Sequence, residues 1–385
     1  MGFVGRTGLA TLAVGAIGVG LAVPPAQANG AKIGMITTLS GGGSSLGIDV
    51  RDGFKLAIKL SGRTDVELLV EDDGRKPGQA KQIADKFLQR DKVDILTGVI
   101  FSNLAMAVVP AAVRQGAFYL SPNAGPSALA GKGCHPNYFN VAWQNDNLHE
   151  AMGAYMKTTG LKKPFILAPN YPAGKDALTG FKRTYEGAPV SEIYTKLGQK
   201  DYAAEIAQIR ASGADSVFFF LPGGMGIAFL KQYAQAGIKT PVFGPAFSFD
   251  QGILKAVGKA AIGVKNSSQW SKDIDNAANK AFVAAFQKEY NRLPSLYASQ
   301  GYDTANLILS ALKVAKVSDK DAFRDALRAA KFESTRGKFA FAKNHHPIQD
   351  IYIREVIQEG DTLTNKIVSV GLTGHANAYV ADCKM

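Results

Sequence analysis

From residue 31 onward, short apolar runs alternate with stretches of helical periodicity, and that alternation admits few folds. Strand-like runs are Ile33–Thr38, Val66–Glu71, Asp94–Val99, Phe118–Ser121 and Tyr138–Ala142. A second series is Pro164–Ala168, Val190–Tyr194, Ser216–Leu221 and Val242–Gly244. Between them the apolar residues recur at spacings of three and four, as in Gln79-Ile83-Phe87-Leu88 and Leu178-Phe181-Tyr185. A βαβα rhythm of this kind implies parallel sheets covered by helices on both faces. The runs are almost continuously apolar, as central parallel strands are. Pro77 opens a helix, and Gly160, Gly213 and Gly237 follow periodic stretches as C-terminal stops.

With 385 residues the chain exceeds what one core of roughly 250–300 residues holds. The two series predict two α/β lobes. After about residue 270 the pattern changes to helices at Asn276–Asn291, Tyr297–Val317 and Asp319–Ala330. Strands follow at Lys338–Ala342, Ile351–Gln358 and Lys366–Val370. If the late helices return to the first lobe, the chain crosses between lobes more than once, and few covalent connections then make a hinge. The expected fold class is α/β, with two doubly wound parallel-sheet lobes joined by a multi-crossing hinge. Residues 31–146 and 272–335 are assigned to lobe 1, and 147–271 and 336–385 to lobe 2.

The first residues read as an export signal. Arg6 is the only charge before Lys32, the apolar run Leu9–Val23 follows, and Pro24-Pro25-Ala26-Gln27-Ala28 ends in small–x–small. We expect cleavage after Ala28, giving a signal peptide over 1–28 and an exported, periplasmic chain. In an oxidising compartment the two cysteines, Cys134 and Cys383, are expected to pair and pin the C-terminal tail. The net charge is +12, but Lys and Arg are scattered singly, so we expect no nucleic-acid partner and at most an attraction for anionic ligands.

Catalytic motifs are missing. There is no G-x-x-x-x-G-K-[ST] and no G-x-S-x-G, and Gly41-Gly42-Gly43-Ser44-Ser45 lacks both the lysine and the spacing of a nucleotide loop. Asp72-Asp73-Gly74 reads as a turn and His345-His346 as a solvated loop. We expect no enzyme, no metal and no cofactor.

Ile33-Gly34-Met35-Ile36-Thr37-Thr38-Leu39-Ser40-Gly41, then Gly47 and Gly53-Phe54-Lys55-Leu56-Ala57, resembles the opening of leucine/isoleucine/valine-binding periplasmic receptors. Glu71-Asp72-Asp73-Gly74 with Pro77 and Ala80, Val93-Asp94-Ile95-Leu96-Thr97-Gly98 and Tyr119-Leu120-Ser121-Pro122 continue the likeness. The resemblance implies the type I periplasmic-binding-protein fold, a hinge-bending solute receptor of an ABC importer that works with an inner-membrane permease. We expect a monomer.

Ligands of open α/β sheets bind outside the carboxyl ends of strands. The loops there are Ser40–Gly47, Phe101–Asn103, Ser121–Ser127, Asn170–Gly174, Leu221–Gly224 and Ala246–Asp250. From them we select Leu46, Phe101, Ser102, Asn103, Asn123, Ala124, Gly125, Tyr171, Pro222, Gly223, Ala246, Phe247 and Phe249 as ligand-binding. Ser102 and Tyr171 match a serine and a tyrosine of the family.

The family's acidic residue, which grips an amino acid's ammonium, falls on Ala246 here. The first-lobe hydroxyl falls on Gly125, and Pro222-Gly223-Gly224 replaces a tyrosine. An unpaired buried ammonium costs several kcal/mol, so amino acids are disfavoured unless Asp250 substitutes. The expected ligand is a small organic anion, most of all an aromatic carboxylate of the benzoate or hydroxycinnamate type. The alternatives are a branched-chain amino-acid receptor and, from another class, a secreted hydrolase. Gln269 and Trp270, near a lobe crossing, are further candidates for the cleft wall or for structural packing.

Overall fold

The computed structural model describes residues 1–5 and 29–385; the apolar run Leu9–Val23 and the cleavage position lie outside them. The first half of the chain builds β1 (Ala31–Thr37), α1 (Ser44–Ser61), β2 (Val66–Asp72), α2 (Pro77–Gln89), β3 (Ile95–Thr97), α3 (Ser102–Arg114), β4 (Phe118–Ser121), α4 (Ser127–Ala130) and β5 (Tyr138–Asn140). These strands form a parallel sheet of order β2-β1-β3-β4-β5. Next come α5 (Asn147–Thr158), β6 (Pro164–Pro169), α6 (Pro172–Tyr185), β7 (Ser191–Thr195), α7 (Ala203–Ala211), β8 (Ser216–Phe219), α8 (Gly224–Gln235), β9 (Val242–Pro245), α9 (Gln251–Val257) and β10 (Lys265–Ser268). The last elements are α10 (Ala277–Tyr290), α11 (Leu296–Leu312), α12 (Lys320–Arg328), β11 (Ala340–Phe341), β12 (Pro347–Glu359) and β13 (Thr362–His375).

The second sheet runs β7-β6-β8-β9-β10-β12, with β11 and β13 also paired to β12. It is mixed rather than wholly parallel. β6 to β10 are parallel, whereas β12 is antiparallel to both β10 and β13. The departure lies in the long β12–β13 hairpin, which reverses at Gly360, in the left-handed region at φ 56°. A two-strand return needs no crossover helix, so it is necessarily antiparallel.

The late helices do return to the first sheet. α11 lies against α1 so closely that a Cβ on Gly53 would fall 1.9 Å from the Ala298 carbonyl oxygen, and one on Gly301 2.0 Å from that of Val50. The chain therefore passes between the sheets after β5, after β10 and after α12. Arg336, in the last of these passages, is fully buried. It donates to Asp303 (3.0 Å), to the Ala142 carbonyl (3.1 Å) and to Gln349 (2.7 Å), tying two passages to α11.

His345-His346 is not solvated. His345 stacks on Phe139 of β5 at 4.0 Å, His346 meets Tyr138 edge-on at 5.6 Å, and both rings are buried. Burial pushes both imidazoles down to about 4, so they pack as neutral rings. Asp72-Asp73 is a turn: Asp72 accepts from the Leu39 and Gly74 N–H groups, Asp73 from Thr38 Oγ1 and the Arg75 N–H. Cys134 and Cys383 are joined in a disulfide with Cα atoms 5.7 Å apart, fixing the tail beside the first sheet. Tyr379 of that tail donates to Asp146 at 2.8 Å.

Candidate ligand-binding cleft

In both sheets the strand order reverses beside the first strand, between β1 and β3 and between β6 and β8. The crevices at these switch points face one another, which is where an open α/β sheet places its ligand. Close packing of each following helix onto its strand shapes the crevice. A Cβ on Gly47 would lie 2.0 Å from the Thr38 carbonyl oxygen, and one on Gly174 1.8 Å from that of Pro169. Glycine at these two helix starts lets the first turns of α1 and α6 sit tight against β1 and β6.

Between the lobes lies a small cavity, in which the centre of a water-sized sphere has about 30 Å³ to move. From the first lobe Leu46, Ile100, Phe101, Ser102, Asn123, Ala124 and Tyr297 line it; from the second, Tyr171, Ala173, Phe220, Pro222 and Phe247. Trp143, Asn145 and His149 line it from the first passage and the start of α5. Every one of these residues is buried, so the lobes are closed around the space.

Eight of the thirteen residues expected from sequence thus line one cavity: Leu46, Phe101, Ser102, Asn123, Ala124, Tyr171, Pro222 and Phe247. The other five do not. Phe249 packs on Phe219 at 5.5 Å inside the second-lobe core, because the 3-10 turn at Ala246–Ser248 rotates it away. Ala246 is sealed at the start of that turn. Asn103, the second residue of α3, is not among the lining residues. Gly125 stands behind the wall, its N–H given to Asn145 Oδ1 at 3.1 Å. Gly223 is at the rim, where a Cβ would come 3.0 Å from the Gly42 carbonyl oxygen across the cleft.

Trp270 belongs to the packing alternative: its Nε1 donates to Asn279 at 2.7 Å, and it is not in the wall. Asp250 does not move in. It caps α9 and accepts the Leu296 N–H at 3.0 Å, outside the cavity.

The wall is aromatic. Phe220 and Phe247 meet edge-on at 5.3 Å, Trp143 meets Phe247 at 4.9 Å, and Tyr171 lies nearly parallel to Phe220 at 6.3 Å. Polar groups are few and placed. Ser102 opens α3, where free backbone N–H groups favour an anion. Its Oγ accepts from Asn145 Nδ2 (3.1 Å), which also donates to Asp176 of α6 (2.9 Å), so the starts of α3 and α6 converge. Asn123 donates to the Ile100 carbonyl at 2.6 Å and leaves its Oδ1 without a partner. Burial holds the Tyr171 and Tyr297 hydroxyls above the usual range, so both remain protonated. No Asp, Glu, Lys or Arg is among the lining residues.

Sequence reasoning missed Ile100, Trp143, Asn145, His149, Ala173, Phe220 and Tyr297. Phe220 hid in the run Phe218-Phe219-Phe220, where alternation gives no face. His149 shows both ring nitrogens without a partner, although fully buried. Burial, opposed in part by the Glu150 carboxylate, pushes its imidazole down to about 3, so it is neutral. Each orphaned nitrogen costs about 1–3 kcal/mol.

The chain is similar to known proteins along most of its length. A Leu/Ile/Val-binding protein homolog 6 of Brucella melitensis is 28% identical over 364 residues, covering 90% of this chain and 93% of that one. The solute-binding protein of an R. palustris ABC transporter, solved in complex with benzoate, superposes with a TM-score of 0.87 at 30% identity, covering 92% of this chain and all of that one. A second, from Rhodopseudomonas palustris BisB5 in complex with 3,4-dihydroxy benzoic acid, gives 0.82 at 30% identity, covering 90% and 98%. The family model described as periplasmic binding protein matches residues 30–361, and the chain belongs to that family.

Proposed function

We propose that this protein is the exported, periplasmic receptor of an ABC importer and captures an aromatic carboxylate by closing two lobes upon it. The observation that carries the reading is an aromatic cavity between the lobes whose wall holds no charged side chain. Lobe 1 comprises 31–146 and 272–335 and lobe 2 comprises 147–271 and 336–385, with His345, His346 and the disulfide-bound tail reaching back onto lobe 1. The signal peptide ends at Ala28, and an inner-membrane permease reads the closed shape. The two Rhodopseudomonas relatives solved with benzoate and dihydroxybenzoate support this ligand class.

Burying roughly 200 Å² of ring at about 25 cal/mol/Å² supplies about 5 kcal/mol. A micromolar complex needs about 8 kcal/mol. Charge-assisted hydrogen bonds to the carboxylate, roughly 1.5–3 kcal/mol each, close the gap. The start of α3, with Ser102, is the proposed anion end. Ser102 is a binding residue here rather than a nucleophile, since its Oγ meets Asn145 and no base.

The second reading, a branched-chain amino-acid receptor, is favoured by the name of the Brucella relative. Calorimetric titration separates the two. Heat from benzoate or 4-hydroxycinnamate and none from leucine is the expected result; heat from leucine alone rejects the proposal.

A further inference from the structure

His149 sits where α5 begins, inside the cavity, with Phe220 at 4.9 Å, Phe247 at 5.9 Å and Phe218 at 6.0 Å around it. Neither ring nitrogen touches a protein donor or acceptor, and the ring is 1% exposed. A buried imidazole so placed has its partner supplied by whatever fills the cavity, or leaves a hydrogen bond unmade. The carboxylate of an aromatic acid is accommodated elsewhere, at the start of α3, where Ser102 and free backbone N–H groups offer donors. A carboxylate could pair with the N–H of a neutral imidazole but never with its bare nitrogen. It offers acceptors only and would lie near Glu150, whose carboxylate His375 holds at 2.6 Å.

Resting on the aromatic-acid reading, we infer that His149 reads a hydroxyl on the ligand's ring, so that the preferred cargo is a hydroxylated aromatic carboxylate rather than benzoate itself. A phenolic hydroxyl suits either tautomer of a neutral imidazole. It donates to the bare nitrogen or accepts from the N–H. With its pKa pushed down to about 3 by burial, the ring keeps that dual character throughout the neutral range. A site built to bond a hydroxyl discriminates strongly against the analogue lacking it, because the site's own polar group is then left unpaired. His149 is therefore a specificity-determining residue, and the carboxylate anchor serves both ligands equally.

The test is calorimetry of the full mature chain with 4-hydroxybenzoate and with benzoate. The wild-type protein should bind 4-hydroxybenzoate at least ~10-fold more tightly, about one hydrogen bond's worth. His149→Leu should bring that ratio to about one, and His149→Gln, which keeps a donor and an acceptor, should retain part of it. The wild-type ratio needs no variant, so it stands even if His149→Leu fails to fold. A wild-type ratio near one, or a substitution that weakens both ligands alike, overturns the role of His149 and leaves the aromatic-acid reading intact. Binding of neither acid overturns that reading itself, and with it this inference.

Discussion

Ser127→Ala tests whether the closed form is held by contacts between the lobes. Ser127 opens α4 on the first sheet, and Asp176 lies in α6 on the second. The Ser127 hydroxyl donates to Asp176 Oδ1 at 2.6 Å, and its backbone N–H donates to Oδ2 at 3.0 Å. Asn145 donates to the same Oδ2. Opening the lobes exchanges these bonds for water, so they count only toward closure. The substitution removes one charge-assisted bond, worth roughly 1.5–3 kcal/mol, and leaves the backbone bond in place. Since each 1.4 kcal/mol is tenfold, affinity should fall by about 10- to 100-fold. The loss should appear in the dissociation rate, because association precedes closure. Stopped-flow binding with the best aromatic acid measures both rates. Asp176→Asn and the double variant complete a cycle, in which the two losses should be far from additive. An unchanged dissociation rate in Ser127→Ala, or strict additivity, would refute the latch.

Three further outcomes follow from the geometry. The Cys134–Cys383 disulfide closes a sequence separation of 249 residues, for which chain entropy gives ~5 kcal/mol. The double Ser variant should therefore lose several kcal/mol in denaturant unfolding, and a loss under ~1 kcal/mol rejects the account. Burial holds the Asp49 carboxyl up at about 7, against the pull of Arg292 at 2.6 Å. Its folded pKa thus lies above the unfolded value, so its contribution is full below about pH 4 and is lost as pH rises through about 7. Asp49→Asn should flatten the decline in urea stability between about pH 5 and pH 8, and an unchanged slope counts against it. Gly174→Ala would place a methyl 1.8 Å from the Pro169 carbonyl oxygen. It should shift α6, weaken ligand binding at least ~10-fold and lower the melting temperature, whereas near-wild-type titration would show that α6 does not set the cleft.

The rhythm of apolar runs was enough for the parallel strands because those strands are buried on both faces. Phe118–Ser121 has the bounds the pattern gives. The same reasoning misses β10, whose residues Lys265-Asn266-Ser267-Ser268 are polar yet mostly buried. Asn266 is satisfied there by Arg354 and Asn365, and Ser267 by the Leu148 carbonyl, partners from far along the chain that no local window contains. The site divides in the same way. Loops leaving strand ends are visible in sequence, so Ser102, Asn123, Tyr171 and Pro222 were found. Trp143, Asn145 and His149 reach the cavity through the passage between lobes, and Tyr297 comes from α11, which follows the second lobe in sequence and returns to the first. Phe249 went astray because a single 3-10 turn decides which of Phe247 and Phe249 faces the cleft.

The missing charges in the cavity wall decide between the two ligand classes. Leucine would gain about 1.5–3 kcal/mol from its buried side chain and pay several for an ammonium with no carboxylate beside it. Asp250, the acid the sequence offered as a substitute, already serves the Leu296 N–H. An aromatic acid gains about 5 kcal/mol from its ring and brings a single charge. That charge meets the partial positive ends of helices rather than a buried cation. The Arg75 guanidinium lies over the Phe101 ring at 4.6 Å and forms no ion pair among the described residues. From there it adds a favourable field at the mouth of the cleft without requiring a fixed contact. The same wall that receives a lone carboxylate therefore rejects a zwitterion of similar size, and the discrimination comes from what the wall omits.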